Sequence, residues 1–247
     1  MGRARARNED AILQRPGRGI LAVADGMGGH AAGDIASRIA VDIVDDRTAH
    51  LPEAGAGAYL RDTVRAAHDA ILRAAEADPE LRGMGTTLTI LYVDPEHRAT
   101  IAHVGDSRAY RLRDGTLEQL TTDQTWVQEQ VNAGLLSPEQ ARGHPFSAML
   151  TCALGIEETE LEVQILEHET EPDDLFLLCS DGLTARLHDD DLRLLLLEHS
   201  EPHHAARALV DAANEAGGPD NITVGLVRIL GEGQEDGPGQ GDGREQG

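Results

Sequence analysis

The sequence predicts an α+β fold: a four-layer α-β-β-α sandwich of two mainly antiparallel sheets flanked by helices, with a small helical flap. Three observations carry this. Apolar runs of strand length recur, and hairpin signals between them make neighbouring strands antiparallel. Several helical segments have one apolar face each, and each such face needs a sheet to cover. No linker-like stretch breaks the alternation before residue 230, so residues 1–230 read as one domain.

The elements follow in order. "GILAVAD" reads as a buried strand. After a glycine-rich turn, Asp34 is the candidate cap of a helix with Ile35, Ile39 and Ile43 on one face. A second helix runs from about Ala58 to Ala77 and buries Leu60, Val64, Ala67 and Ile71. "TTLTILYVD" and "ATIAHVGDSRAYRLRDG" read as two strands joined at "DPEHR"; Asp114-Gly115 then turns the chain into the short strand "LEQL". Residues 123–150 break the rhythm as a helical flap. "WVQEQVNAG" is one short helix, and "SPEQARG" starts another with Ser137 as cap and Pro138 at its first position. Trp126 reads as the flap's hydrophobic anchor, with a protein-substrate contact as the alternative. "LEVQIL" and "DLFLLCS" are strands, "DDDLRLLLLEH" and "EPHHAARALVDAANEAGG" helices, and "NITVGLVRI" the closing strand. From residue 231 to 247 Gly, Glu, Gln and Asp dominate without apolar periodicity, so that tail is expected to be disordered.

Composition narrows the function. Aromatic residues make up 2% of the 247, so Leu, Ile, Val and Ala must build the core. The formal charge is −23 and lysine is absent, which argues against nucleic acid as a partner because phosphate would be repelled. The acidity fits either a high-salt habitat or an arginine-rich coding bias. Cys152 and Cys179 stand in apolar contexts, outside any metal or redox spacing, and read as buried hydrophobes. No signal peptide is read, and no apolar run approaches the ~20 residues that span a bilayer. The expectation is a cytoplasmic monomer without membrane contact.

Three strand-like runs end on an acid beside a glycine: Asp25-Gly26, Gly105-Asp106 and, one residue past "LLC", Asp181-Gly182. A strand in a sheet is rigid, so a carboxylate at its end is well aimed. The glycine admits close approach and leaves a carbonyl free as another oxygen ligand. Asp220, in "GGPDN", and the pair Glu9-Asp10, in "RNED", add further acids. An oxygen-only set suits hard divalent ions such as Mg²⁺ or Mn²⁺. Taken singly each is an ordinary turn signal, as Asp114-Gly115 is read to be. His103, alternating with Ile101, reads as packing; Ser147 and Ser180 lack a nucleophile-elbow setting.

The ordered series "GRARARNED", "VADGMGGHAAGDIAS", "GMGTTLT", "AHVGDSRAYRL", "LLCSDGL" and "GGPDNITV" resembles the metal-dependent serine/threonine protein phosphatases, the protein phosphatase 2C-like family, in its bacterial branch. The resemblance covers roughly residues 2–230 and includes the flap. It implies hydrolysis of phosphoserine and phosphothreonine by in-line attack of a metal-bridged hydroxide. By that resemblance Asp25 bridges two metal ions and the Gly26 carbonyl binds one of them. Asp181 and Asp220 complete the other ion's shell, and Glu9 reaches its site directly or through water. Asp106 with Asp181 holds a third, weaker metal. Arg5 grips the substrate phosphate, its rival reading being a solvated basic end flanked by Arg3 and Arg7. Asn221 orients Asp220. His30 is a candidate general acid, or else orients a ligand or simply sits in the turn. Partners would be phosphoproteins of a bacterial Ser/Thr kinase.

Two departures stand out. Relatives usually carry a strand before the arginine motif, whereas this chain opens almost on it, so residues 3–10 are expected to fray. "LTCALG" has cysteine where arginine is common, beside the flap. A phosphopeptide-binding pseudophosphatase and a small-phosphoester phosphatase remain the alternatives; intact acids speak against the first.

Overall fold

The computed structural model describes residues 2–3, 5, 7–28, 32–52, 55–157 and 161–231. The first sheet runs β1 (Asp10–Arg15), β2 (Ile20–Met27), β4 (Leu88–Val93), β5 (Arg98–Val104), β8 (Gln164–Glu169), with the two-residue β3 (Gly85–Thr86) paired to β2. The second runs β10 (Val224–Arg228), β9 (Leu175–Cys179), β6 (Arg108–Arg113), β7 (Thr116–Gln119). Every ladder is antiparallel. Helices α1 (Gly33–Thr48) and α2 (Ala56–Ala77) cover the first sheet. Helices α5 (Asp181–Thr184), α6 (Asp189–Glu198) and α7 (Pro202–Glu215) cover the second.

Three apolar layers hold the four structural layers together. Leu21, Val23, Leu91, Ile101, Phe176 and Leu178 meet between the sheets. Ala22, Ala24, Ile90 and Ala102, on the opposite faces of the same strands, meet the helices. This is why "ILAVA" is apolar without alternation: both faces of β2 are buried. Helix α2 buries Leu60, Val64, Ala67 and Ile71, as its 3.6-residue period predicts.

Four readings change. The stretch "ATIAHVGDSRAYRLRDG" is two strands in different sheets. Gly105 takes φ +107 and lets the chain cross from β5 to β6, which puts Asp106 in the crossing. Helix α1 is not capped by Asp34: its cap is Ala32, and Asp34 lies in the first turn without a cap bond. Its fully buried line is Ala36, Ala40 and Val44; of the expected face, Ile39 and Ile43 pack half-buried against the same core and Ile35 is exposed. Small residues let the helix approach the sheet closely, with those two isoleucines at its flank. Strand β1 was not anticipated, because only Leu13 of its six residues is buried. Strand β8 begins three residues later than "LEVQIL".

The expected fraying of the N-terminus also gives way. The Arg3 N–H donates to the Gly218 carbonyl at 2.9 Å. The Asn221 side chain donates to Arg7 O and accepts from Glu9 N–H, each at 2.9 Å. Gly2 packs so tightly that a Cβ there would lie 1.7 Å from Asp220 O.

The flap holds α3 (Trp126–Asn132), capped by Thr125, and α4 (Pro138–Arg142), closed by a Ser137–Gln140 capping box. Trp126 packs against His144 and Phe146 at centroid distances of 5.2 and 5.7 Å, a cluster that lies within the flap itself, with Phe146 exposed. Both cysteines are buried and neither forms a disulfide among the described residues. The tail expected to be disordered lies, beyond Gly231, outside the described residues.

Candidate active site

Asp25 ends the buried part of β2, and the β1–β2 register sets Asp10 directly opposite it. Two threonines fix its backbone: Asp25 N–H donates to Thr87 Oγ1 (3.0 Å), and its carbonyl accepts from Thr87 N–H (2.9 Å) and Thr86 Oγ1 (3.0 Å). Asp181 follows β9 at the start of α5, Asp106 lies in the β5–β6 crossing, and Asp220 stands in the loop before β10. Asp10, Asp25 and Asp181 lie close enough for their charges to act on one another. Asp10 Oδ2 also accepts from Ser180 Oγ (2.8 Å) and Thr223 Oγ1 (2.6 Å).

The electrostatics follow from this crowding. Burial raises the Asp25 carboxyl well above its ordinary range, and the charges of Asp10, Asp181 and Asp106 raise it further. Burial, then the charges of Asp181 and Asp123, push Asp106 up to about 8 against the opposing Arg108. Burial also raises Asp181, helped by the charges of Asp220 and Asp10, and raises Asp10 against its hydroxyl hydrogen bonds. One guanidinium attends the rim: Arg5 Nη2 donates to Asp220 Oδ2 at 2.8 Å, with Nη1 3.8 Å from Glu9 Oε2.

A second oxygen cluster adjoins the first. Glu9 O accepts from Gly26 N–H (3.1 Å) and Ser37 Oγ (2.6 Å). The point where a Gly33 Cβ would sit is 3.0 Å from both Glu9 Oε1 and Gly26 O, so these oxygens flank one small gap. Among the described residues no three His, Cys, Asp or Glu side chains close into a finished metal cage. The donor chemistry nonetheless fits divalent cations: half-buried, mutually repelling carboxylates with one neighbouring carbonyl and no soft ligand. A cavity of about 380 Å³ opens beside Asp106 and Asp181, and Thr125, Val127, Arg142 and Ser147 wall its flap side.

The crowding has a consequence for stability. The native carboxyls keep protons to higher pH than the unfolded chain, whose carboxyls titrate near pH ~4. Between about pH 4 and about 8, the upper bound being Asp106, these acids bind more protons in the native state and their contribution to stability falls as pH rises. Asp45, lowered chiefly by the Arg15 hydrogen bond, acts the opposite way, but its contribution is lost only at more acid pH. His103, which burial lowers to about 4, and His68 and His168, also lowered by burial, oppose the acids up to the ordinary imidazole range near pH ~6.5, so the fall is read above it. The metal-free protein is expected to melt at a lower temperature at about pH 8 than at about pH 6.5, and Mn²⁺ to flatten that slope. Melting that is independent of pH without metal would contradict the crowding.

The structure thus gathers Asp25, Asp181, Asp220 and Asp106 with Glu9, Gly26 and Arg5 around one end of the sandwich. Asn221 sits differently from expectation. Its backbone N–H holds Asp220 Oδ1 at 2.8 Å, while its side chain staples the N-terminal strand. His30 lies outside the described residues. His103 is buried as expected, but as a hydrogen-bonded group rather than as plain packing. Asp10 and Ser180 were under-read. Asp10 was seen only as Glu9's neighbour, and recognising β1 would have placed it opposite Asp25. Ser180 serves as the donor that holds Asp10. The departing Cys152 is buried, its sulfur accepting from Glu162 N–H at 3.4 Å.

Known proteins resemble this chain in sequence and in fold. The family model described as "Protein phosphatase 2C" matches residues 3–216. The serine/threonine protein phosphatase PstP of Mycobacterium tuberculosis is 42% identical over 234 residues; the match covers 93% of this chain, which spans less than half (43%) of that relative. The serine/threonine phosphatase stp of Listeria monocytogenes is 38% identical, with 92% of each chain covered. The crystal structure of the PstP catalytic domain in complex with two manganese ions superposes with a TM-score of 0.83 at 38% identity, covering 93% of this chain and 95% of that one. The likeness runs nearly the full length in both sequence and fold, and on it this chain belongs to the protein phosphatase 2C family.

Proposed function

We propose that this chain is a metal-dependent protein serine/threonine phosphatase that hydrolyses phosphoserine and phosphothreonine. The observation that carries it is the group of half-buried, mutually repelling aspartates at one end of the sheets, with Arg5 on the rim. Such a cluster is costly without a cation, because each carboxylate raises its neighbours.

In this reading Asp25 contributes to two cation positions. Asp181 and Asp220 complete one; Glu9 and the Gly26 carbonyl face the other; Asp106 with Asp181 takes a weaker third. Mg²⁺ or Mn²⁺, when bound, lowers the pKa of a shared water and neutralises phosphoryl charge. The chain's own residues do the rest. Asp10, held by Ser180 and Thr223 and opposite Asp25 in the sheet register, adds its charge to Asp25 and Asp181 and so strengthens the demand for a cation. Thr86 and Thr87 lock the Asp25 peptide. Arg5 exchanges its Asp220 partner for the substrate phosphate, to which a planar guanidinium can give two hydrogen bonds. In-line displacement then needs little beyond positioning and charge neutralisation.

The substrates are read as phosphoproteins of a bacterial Ser/Thr kinase, and the chain as a cytoplasmic monomer. No helix among the described residues is long and apolar enough to cross a membrane. The test is hydrolysis of a phosphothreonine peptide with Mn²⁺, without it, and with chelator. Turnover is expected only with metal, and metal-independent turnover would overturn the reading. Arg5→Ala is expected to lower kcat/KM by about 10- to 100-fold, mostly through KM, as loss of a charged hydrogen bond implies. An unchanged KM would remove Arg5 from the phosphate.

A further inference from the structure

The Gly105 peptide, one residue before Asp106, is held from both sides. Its N–H donates to Gln124 Oε1 at 2.8 Å. Its carbonyl accepts from the Gln124 backbone N–H at 2.8 Å and lies 3.0 Å from His103 Nε2. A carbonyl can only accept, so Nε2 carries the imidazole proton and Nδ1 accepts from Thr89 Oγ1 at 2.8 Å. Burial lowers His103 to about 4, which keeps that tautomer neutral in the working range. Gly105 itself takes φ +107, and a Cβ there would lie 2.6 Å from Thr87 Cγ2. The peptide has no freedom left except through its clamps.

Gln124 also stands at the root of the flap. Its Nε2 donates to Glu162 O (2.9 Å), and its carbonyl accepts from Thr151 N–H (2.8 Å). The segments entering and leaving the flap are thereby tied to the peptide that aims Asp106. The flap and Asp106 wall the same cavity.

Resting on the function proposed above, we propose that Gln124 is a positioning residue that, with His103, fixes Asp106 through the Gly105 peptide and makes the flap root and the Asp106 cation position one mechanical unit. The flap's placement and the weaker cation are then coupled: whatever moves the flap root moves Asp106 directly, whereas it reaches Asp25 only through Thr87, whose Oγ1 lies 2.7 Å from Ser107 Oγ while Thr86 and the Thr87 backbone N–H hold the Asp25 carbonyl in place.

The experiment compares wild type, Gln124→Ala and Gln124→Glu. In metal-free protein, hydrogen exchange at Gly105 is expected to rise at least tenfold in Gln124→Ala and to stay within about threefold of wild type in Gln124→Glu, which keeps the acceptor. In Mn²⁺ calorimetry, Gln124→Ala is expected to weaken the weak class about tenfold and leave the tight class within twofold. With a small phosphoester, kcat falls and KM holds. Wild-type exchange at Gly105 in Gln124→Ala, or equal weakening of both Mn²⁺ classes, would overturn the proposal. Should Gln124→Ala not fold, Gln124→Glu decides: a tenfold loss of the weak class despite a protected Gly105 amide sinks it. A wild type that binds no Mn²⁺ refutes the phosphatase reading instead, and the metal-free exchange still judges the clamp.

Discussion

Asp181→Asn lowers kcat by two orders of magnitude or more, about 3 kcal/mol of transition-state stabilisation, and abolishes tight Mn²⁺ binding. The substitution keeps size and shape but removes a charge from the centre of the cluster. Asp181 is electrostatically coupled to the other acids of the main group: its charge raises Asp25 and Asp106, and it is itself raised by Asp220 and Asp10. Metal-free stability separates this from simple damage. Removing a charge from a repelling cluster is expected to raise the melting temperature at pH ~8 while activity collapses. Near-normal kcat at saturating Mn²⁺ would take Asp181 out of the metal site. A melting temperature that falls with activity would mean that the residue serves the fold.

Gly182→Ala is expected to cost about 3 kcal/mol of stability, at the upper end of overpacking, and to lower kcat at least tenfold. A Cβ there would lie 1.8 Å from Asn221 O and 2.9 Å from Asn221 C, and both atoms are backbone. The Asn221 peptide has to move. It carries Asp220 on one side, and its side chain staples Arg7 and Glu9. One methyl therefore disturbs a proposed metal ligand and the anchor of Arg5 together. Gly143→Ala is the control: nothing lies within 4 Å of its Cβ and its φ is −92, so it should stay within about 0.5 kcal/mol of wild type. Denaturant unfolding measures both. Equal effects would show that the close approach of Gly182 to Asn221 is not a constraint.

What the sequence revealed, and what it concealed, divides along physical lines. Helix α2 was legible because its buried side repeats at helical spacing and depends on nothing distant. The acids were legible because an Asp-Gly step after an apolar run is a local pattern. Strand β1 was not, since an edge strand with one buried residue has no period to detect. With β1 unread, Asp10 had no place in the cluster. The α1 face was legible only in part: Ile39 and Ile43 do pack against the core, but its closest contact with the sheet is made by alanines, which a hydrophobicity pattern ranks below isoleucines. The crossing at Gly105 hid inside one continuous apolar pattern; only the positive φ breaks it. The pinned N-terminus rests on hydrogen bonds between residues more than 200 positions apart, which no local pattern encodes.

The central claim is that the aspartate cluster exists to hold cations. Calorimetric titration of Mn²⁺ into the metal-free wild type and into Asp25→Asn tests it most directly, because Asp25 is the acid proposed to serve both tight positions. Two tight equivalents in the wild type and none in Asp25→Asn, with the variant still folded by circular dichroism, is the predicted result. Two tight equivalents surviving in folded Asp25→Asn would contradict the account.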